Sequence, residues 1–156
     1  MKKYVKLISG ALAILAVVFM FFTQVVVKYN PAQHLGFTAL IGGNYPKEIA
    51  ESYKGVGSGL AGYILLAVGG ILILLCALVP YFKEHDVLSM VVVGIGVICI
   101  IVGVVLIFLI RRNFMIANGN MSKEVYVGWA AITAGSLGSL AAAGGILSIV
   151  LDILEK

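Results

Sequence analysis

The chain has 156 residues, of which 62% are hydrophobic and 12% charged, with a formal net charge of +4; its mean hydropathy is +1.11. Soluble domains average about half apolar and roughly a quarter charged, so this composition excludes an ordinary soluble globule, which so few charges could not cover. The small positive excess suits apposition to an anionic membrane surface, and no basic stripe points to nucleic acid.

Four charge-free runs account for the composition, at residues 7–27, 56–82, 87–110 and 125–151. Each reaches the ~20 residues that carry a helix across ~30 Å of hydrocarbon. The expectation is an all-α, polytopic membrane protein: a single four-helix transmembrane domain over residues 1–156, with helices at about 7–27, 57–82, 87–110 and 125–151. Lys2, Lys3 and Lys6 look like the basic start of a secretory signal. The run that follows is longer than a signal core and lacks a small-x-small cleavage site, so it is expected to stay as the first helix. That helix is expected to end near Lys28, with Thr23 and Gln24 as its most polar pair. Gln24 is expected to hydrogen-bond a neighbouring helix.

Residues 28–55 form the longest polar connection. Tyr29-Asn30-Pro31 stops the first helix, and Gly42-Gly43-Asn44-Tyr45-Pro46 is a turn cluster; residues 47–54 are expected to make about two helical turns. Between the breakers, the apolar stretch 34–41 is expected to lie on the membrane surface or cap the bundle.

In the second helix Gly55, Gly59, Gly62, Leu66, Gly69, Ile73 and Cys76 step alternately by 4 and 3, forming one stripe. In hydrocarbon such a stripe lets another backbone come close. The short turn Lys83-Glu84-His85-Asp86 makes helices 2 and 3 antiparallel neighbours. Helix 3 is dominated by Val and Ile, which suits a lipid-facing or tightly packed helix. It is expected to end at Arg111-Arg112, before a turn at Asn118-Gly119-Asn120.

Helix 4 repeats the small-residue stripe with Ala131, Gly135, Gly138, Ala142 and Gly145, displaced by 76 positions (Gly138 against Gly62). Lys47-Glu48 and Lys123-Glu124 match at the same shift. A duplicated helical hairpin and two helices converging on one packing code both fit this similarity. The matching stripes predict direct contact of helices 2 and 4 near Gly62 and Gly138. Thr133, Ser136, Ser139 and Ser148 can bond their own i−4 carbonyls or a facing helix.

Asp152, in the last turn of helix 4, is expected to be a solvated end residue. Cys76 and Cys99 lie at different depths of different spans, so no disulfide is expected. His34 and His85 fall on opposite sides of the bilayer and share no metal site. Gly55-Val56-Gly57-Ser58-Gly59 is only superficially like a phosphate loop, since no lysine follows where one is needed.

An even number of spans puts both termini on one side. Lys2, Lys3, Lys6, Lys83 and Lys156 lie there, against Lys28, Lys47, Lys54, Arg111, Arg112 and Lys123 opposite. The near balance leaves the decision to the first helix, whose lysines favour cytoplasmic termini in the plasma membrane.

The layout of long first outer loop, short inner turn and shorter second outer loop resembles that of claudin-type tetraspan proteins. Residues 28–55 hold neither the tryptophan nor the cysteine pair of that family. Small multidrug transporters also have four helices, with an acidic residue in the first that is absent here. No family is assigned. The expectation is a non-enzymatic protein acting through helix packing with a protein partner or itself, without cofactor, catalytic residue or metal site, and with membrane lipid around it. Its helix-packing interface is expected at Gly55, Gly59, Gly62, Gly69, Ala131, Gly135, Gly138, Ala142 and Gly145. A small transporter or channel-like protein for a small or apolar solute is the alternative.

Overall fold

In the computed structural model, residues 2–28, 32–44, 52–119 and 124–154 are described. The chain is mostly helical, with four helices long and apolar enough to cross a membrane. The first, α1 (Lys2–Val18), passes through a 3-10 turn at Phe19–Phe21 into strand β1 (Val25–Val27). Strand β2 (Gln33–Leu35), the single turn α2 (Thr38–Ile41) and strands β3 (Gly42–Asn44) and β4 (Ser52–Lys54) follow. The second long helix is α3 (Gly57–Leu78), which a short α4 (Tyr81–Glu84) joins to the third, α5 (Asp86–Phe108). After α6 (Ile110–Ala117) and strand β5 (Val125–Val127), α7 (Trp129–Leu154) closes the bundle.

The strands correct the expectation of purely helical runs. Val25-Val26-Val27 do not finish helix 1, and Val125-Tyr126-Val127 do not begin helix 4. Instead they pair antiparallel, Val26 opposite Tyr126, with β2 on the other side of β1. Six residues, five of them valine, favour the pleated conformation, and hydropathy alone cannot separate a charge-free strand from the helix it adjoins. Burial alternates along the sheet: Val25, Val27, Leu35 and Val125 face inward, whereas His34 and Tyr126 face out. The stretch 34–41 caps the bundle, with its own Leu35, Ala39 and Leu40 buried.

Residues 52–54 are also strand rather than helix, paired in register with β3. Asn118, at the end of α6, fastens that edge: its Oδ1 accepts the Lys54 N–H at 2.8 Å and its Nδ2 donates to the Lys54 carbonyl at 3.1 Å. The breakers Tyr29-Asn30-Pro31 and Tyr45-Pro46, residues 47–51, Asn120 and Lys123 lie outside the described residues, as does most of the Lys47-Glu48/Lys123-Glu124 match.

The long helices end for local reasons. Pro80 forces Val79 into extended backbone (ψ 123°), which stops α3 at Leu78. The third helix runs on past Arg111-Arg112, because Leu109 and Asn113 keep their i−4 hydrogen bonds across the join to α6.

Helix α3 packs on α5, α5 on α7, α7 on α1 and α1 on α3, leaving α3 and α7 diagonally opposed. This corrects the expected close approach of helices 2 and 4, which meet only lightly across the diagonal. Both small-residue stripes face α5 instead. A Cβ on Gly62 would lie 2.8 Å from the Gly103 carbonyl oxygen, and one on Gly69 2.5 Å from that of Gly96. On the other flank of α5, Gly135 lies against the Phe108 ring, Gly138 against Val104 and Gly145 against Val97. Gly59 lies beneath Leu40 and Ile110, while Ala131 and Ala142 are buried in α7. Gly55 precedes α3 and touches the backbone of Ile41 and Gly42. Helices α3 and α7 do touch, but through side chains: a Cβ on Gly138 would lie 3.0 Å from Leu66, and one on Gly145 3.4 Å from Ile73. In an up-and-down bundle with short connections, sequential helices are the neighbours, and a stripe of small residues does not say which neighbour it meets.

Candidate functional site

Among the described residues, two groupings of polar side chains lie inside the bundle, one near each end. At the sheet end, the Gln24 side-chain amide donates to the carbonyls of Phe19 (2.6 Å) and Phe22 (3.1 Å) and accepts the Tyr63 hydroxyl at 2.8 Å. Both side chains are buried. Gln24 thus satisfies carbonyls freed where the first helix unwinds and reaches the second long helix, as expected of it. With Gln24 bonding on both sides, this grouping reads as structural glue.

The other grouping lies at the end where the chain starts and finishes, and each long helix contributes to it. Lys6 comes from α1, Cys76 from α3, Ser89 from α5 and Asp152 from α7. The Lys6 Nζ is 2.7 Å from Asp152 Oδ2 and donates to Ser89 Oγ at 3.1 Å. The Cys76 thiol lies 3.8 Å from the Ser89 carbonyl oxygen. Lys6 and Asp152 are each only 7% exposed. The expectation of a solvated Asp152 is therefore wrong, because α1 and α7 are antiparallel neighbours whose outermost turns meet.

Helix dipoles do not account for this pair. Lys6 is near the N-terminus of α1 and Asp152 near the C-terminus of α7, the ends at which the dipole disfavours each charge. Burial adds a desolvation cost of several kcal/mol per ion, so the charges hold because they face each other. Beside them opens a cavity of about 230 Å³, lined also by Lys3, Phe82 and Asp86. A signal for the pair was present in the sequence, since an even number of spans puts Lys6 and Asp152 at the same end.

The hydroxyls of α7 turn to their own backbone. Thr133, Ser136 and Ser139 each donate at 2.9 Å to the i−4 carbonyl, and Ser148 donates to Gly145 at 2.8 Å. Ser9 crosses from α1 to the Ala141 carbonyl at 2.5 Å. Both cysteines are free. His34, exposed on β2, and His85, stacked on Tyr81, sit at opposite ends of the bundle.

On the rim of the sheet, Lys28 Nζ and the Tyr126 hydroxyl both donate to Glu124 Oε2, at 2.6 and 2.7 Å. The Lys28 hydrogen bond, with that of Tyr126, holds the Glu124 carboxyl below its ordinary range; the same Glu124 contact raises Lys28. The carboxylate's share of stability is present above its unfolded pKa and lost as pH falls through the lowered folded value. The lysine's share is present below its unfolded pKa and lost as pH rises through the raised one. The pair is exposed and screened by salt. Lys28→Gln is therefore expected to raise the Glu124 titration midpoint, followed by side-chain NMR, with little change in thermal midpoint; the shift should shrink in 1 M salt.

Compared with known families and curated proteins, the sequence matches no family model and no curated relative.

Proposed function

We propose that the chain is a non-enzymatic integral membrane protein, with cytoplasmic termini in the plasma membrane, that works by contact as an accessory subunit, scaffold or immunity-type protector. The observation that carries this reading is the division between its outer and inner surfaces. Outward positions on the long helices are large and apolar, among them Ile71, Ile95, Ile98, Val105, Leu140 and Leu147. Inward polar groups are engaged with one another or with backbone. The former suits lipid; the latter leaves little reactive chemistry free. The buried glycines of α3 and α7 are occupied by the chain's own neighbouring elements, mainly α5 and α1, so contact with a partner or second copy is assigned to the outer helix faces and the outward side of the sheet, around His34 and Tyr126.

The transporter or channel reading is supported by one observation, the polar cavity beside Lys6 and Asp152. It ranks second because buried Leu66, Ile73 and Ile100 fill the bundle beyond that cavity.

The test has three steps. The protein should resist alkaline carbonate and leave the membrane only with detergent. A cysteine replacing His34 should then react with an impermeant maleimide on intact cells, and one replacing His85 only after permeabilisation, in a background lacking Cys76 and Cys99. In mild detergent the protein should migrate as a complex larger than its 16.5 kDa monomer, and Tyr126→Lys should release the complex without unfolding the bundle. Release by carbonate overturns the membrane reading; a monomer as the sole species overturns the contact reading.

A further inference from the structure

The cavity at the terminal end continues onto the outside of the bundle. Asp86 lines the polar cavity together with Lys3, Lys6, Ser89 and Asp152. It also lines an open groove of about 550 Å³ whose other walls are His85, Val87, Leu88 and Val91. Val87 and Val91 are more than half exposed, at 68% and 54%. A polar chamber and an apolar trough therefore share one carboxylate.

The charges divide unequally. Lys6 and Asp152 are buried and face each other at 2.7 Å, which cancels them. Lys3 and Asp86 remain exposed at the mouth with one charge of each sign. The chamber, at about 230 Å³, falls below the roughly 300–1,000 Å³ of sites for drug-sized ligands, and so suits a headgroup rather than a whole amphiphile.

We propose that this is a binding site for a phospholipid with a primary-amine, phosphoethanolamine-type headgroup. The phosphate lies against the Lys3 ammonium, the headgroup ammonium donates to the Asp86 carboxylate, and an acyl chain lies in the trough along Val87, Leu88 and Val91. A primary ammonium can give the carboxylate a short charge-assisted hydrogen bond. A quaternary choline has no N–H to give, and an anionic headgroup would bring a net negative charge to Asp86. The site rests on the membrane reading proposed above, since it draws its ligand from a bilayer.

Native mass spectrometry of the full-length, delipidated protein in detergent tests this, with equimolar phosphatidylethanolamine, phosphatidylcholine and phosphatidylglycerol of identical chains. The ethanolamine lipid should give adducts at least about fivefold more abundant than either other lipid. Asp86→Asn should lower it to the choline level, and Lys3→Gln should weaken both; the two positions are exposed, and circular dichroism checks that each variant keeps its helices. Soluble glycerophosphoethanolamine should fail to compete, because it has no chain for the trough. Equal retention of the three lipids, an unchanged preference in Asp86→Asn, or displacement by the soluble headgroup overturns the proposal. Failure of the membrane reading shows separately, as release by carbonate without detergent.

Discussion

Asp152→Ala is expected to destabilise the bundle by about 3–5 kcal/mol, the cost of leaving one member of a buried ion pair alone. Lys6 would keep its hydrogen bond to Ser89 at 3.1 Å, but its charge would remain buried without the carboxylate that faces it at 2.7 Å. Lys6→Met should also destabilise the bundle, by removing the ammonium that faces Asp152 at 2.7 Å. The double variant Lys6→Met/Asp152→Leu, which removes both desolvation costs and fills the space with apolar atoms, should recover most of the loss. Denaturant unfolding in micelles, followed by circular dichroism, measures all three. A double variant as unstable as the sum of the singles would mean that the pair does more than hold α1 to α7. Equal stability of Asp152→Ala and the parent would place Asp152 back in solvent.

The second large effect concerns the backbone contact of α3 and α5. The close approaches are reciprocal: a Cβ on Gly62 would lie 2.8 Å from the Gly103 carbonyl oxygen, and one on Gly103 2.6 Å from that of Gly62. Gly69 and Gly96 repeat this arrangement, at 2.5 and 3.0 Å. Because the obstacle is backbone rather than a side-chain tip, the helices must part to admit any larger residue. Gly62→Ala or Gly103→Ala is expected to cost about 1–3 kcal/mol through overpacking, and Gly62→Leu to prevent folding. Gly94, on the same helix as Gly103, has nothing within 4 Å of the place a Cβ would take; Gly94→Ala should therefore be neutral or stabilise by up to about 1 kcal/mol through helix propensity. Denaturant unfolding of the same kind ranks these variants. Loss of a partner complex with normal stability in Gly62→Ala would return this surface to an external role.

These two sites show what kind of information a sequence of this composition carries. The long helices are legible because hydropathy is a sum over ~20 residues, robust to any single position. Their ends are not, since 25–27 and 125–127 are as apolar as the helices they adjoin and take strand form through pairing with each other and, for 25–27, with 33–35. The inward alternation of Val25, Val27 and Val125 has a period of two over three residues, too short to stand out against its surroundings. The stripe of glycines in α3 is visible by spacing alone. Its partner is not, because Gly103 and Gly96 on α5, like Gly138 on α7, offer the same absence of a side chain.

The candidate site divides in the same way. Lys6 and Asp152 are the charges nearest the ends of the first and last apolar runs, and the parity of the spans puts them at one end. Whether they meet depends on which helices are adjacent, and on whether Cys76 and Ser89 close over them from the other two. By itself the sequence determined four helices long and apolar enough to cross a membrane, their alternating direction and the places where backbones could come close, because those follow from local composition and spacing. The tertiary structure alone decided that α5 receives both small-residue stripes, that the connections form sheets over one end, and that Lys6 and Asp152 are buried together at the other, because each depends on contacts between residues far apart in the chain.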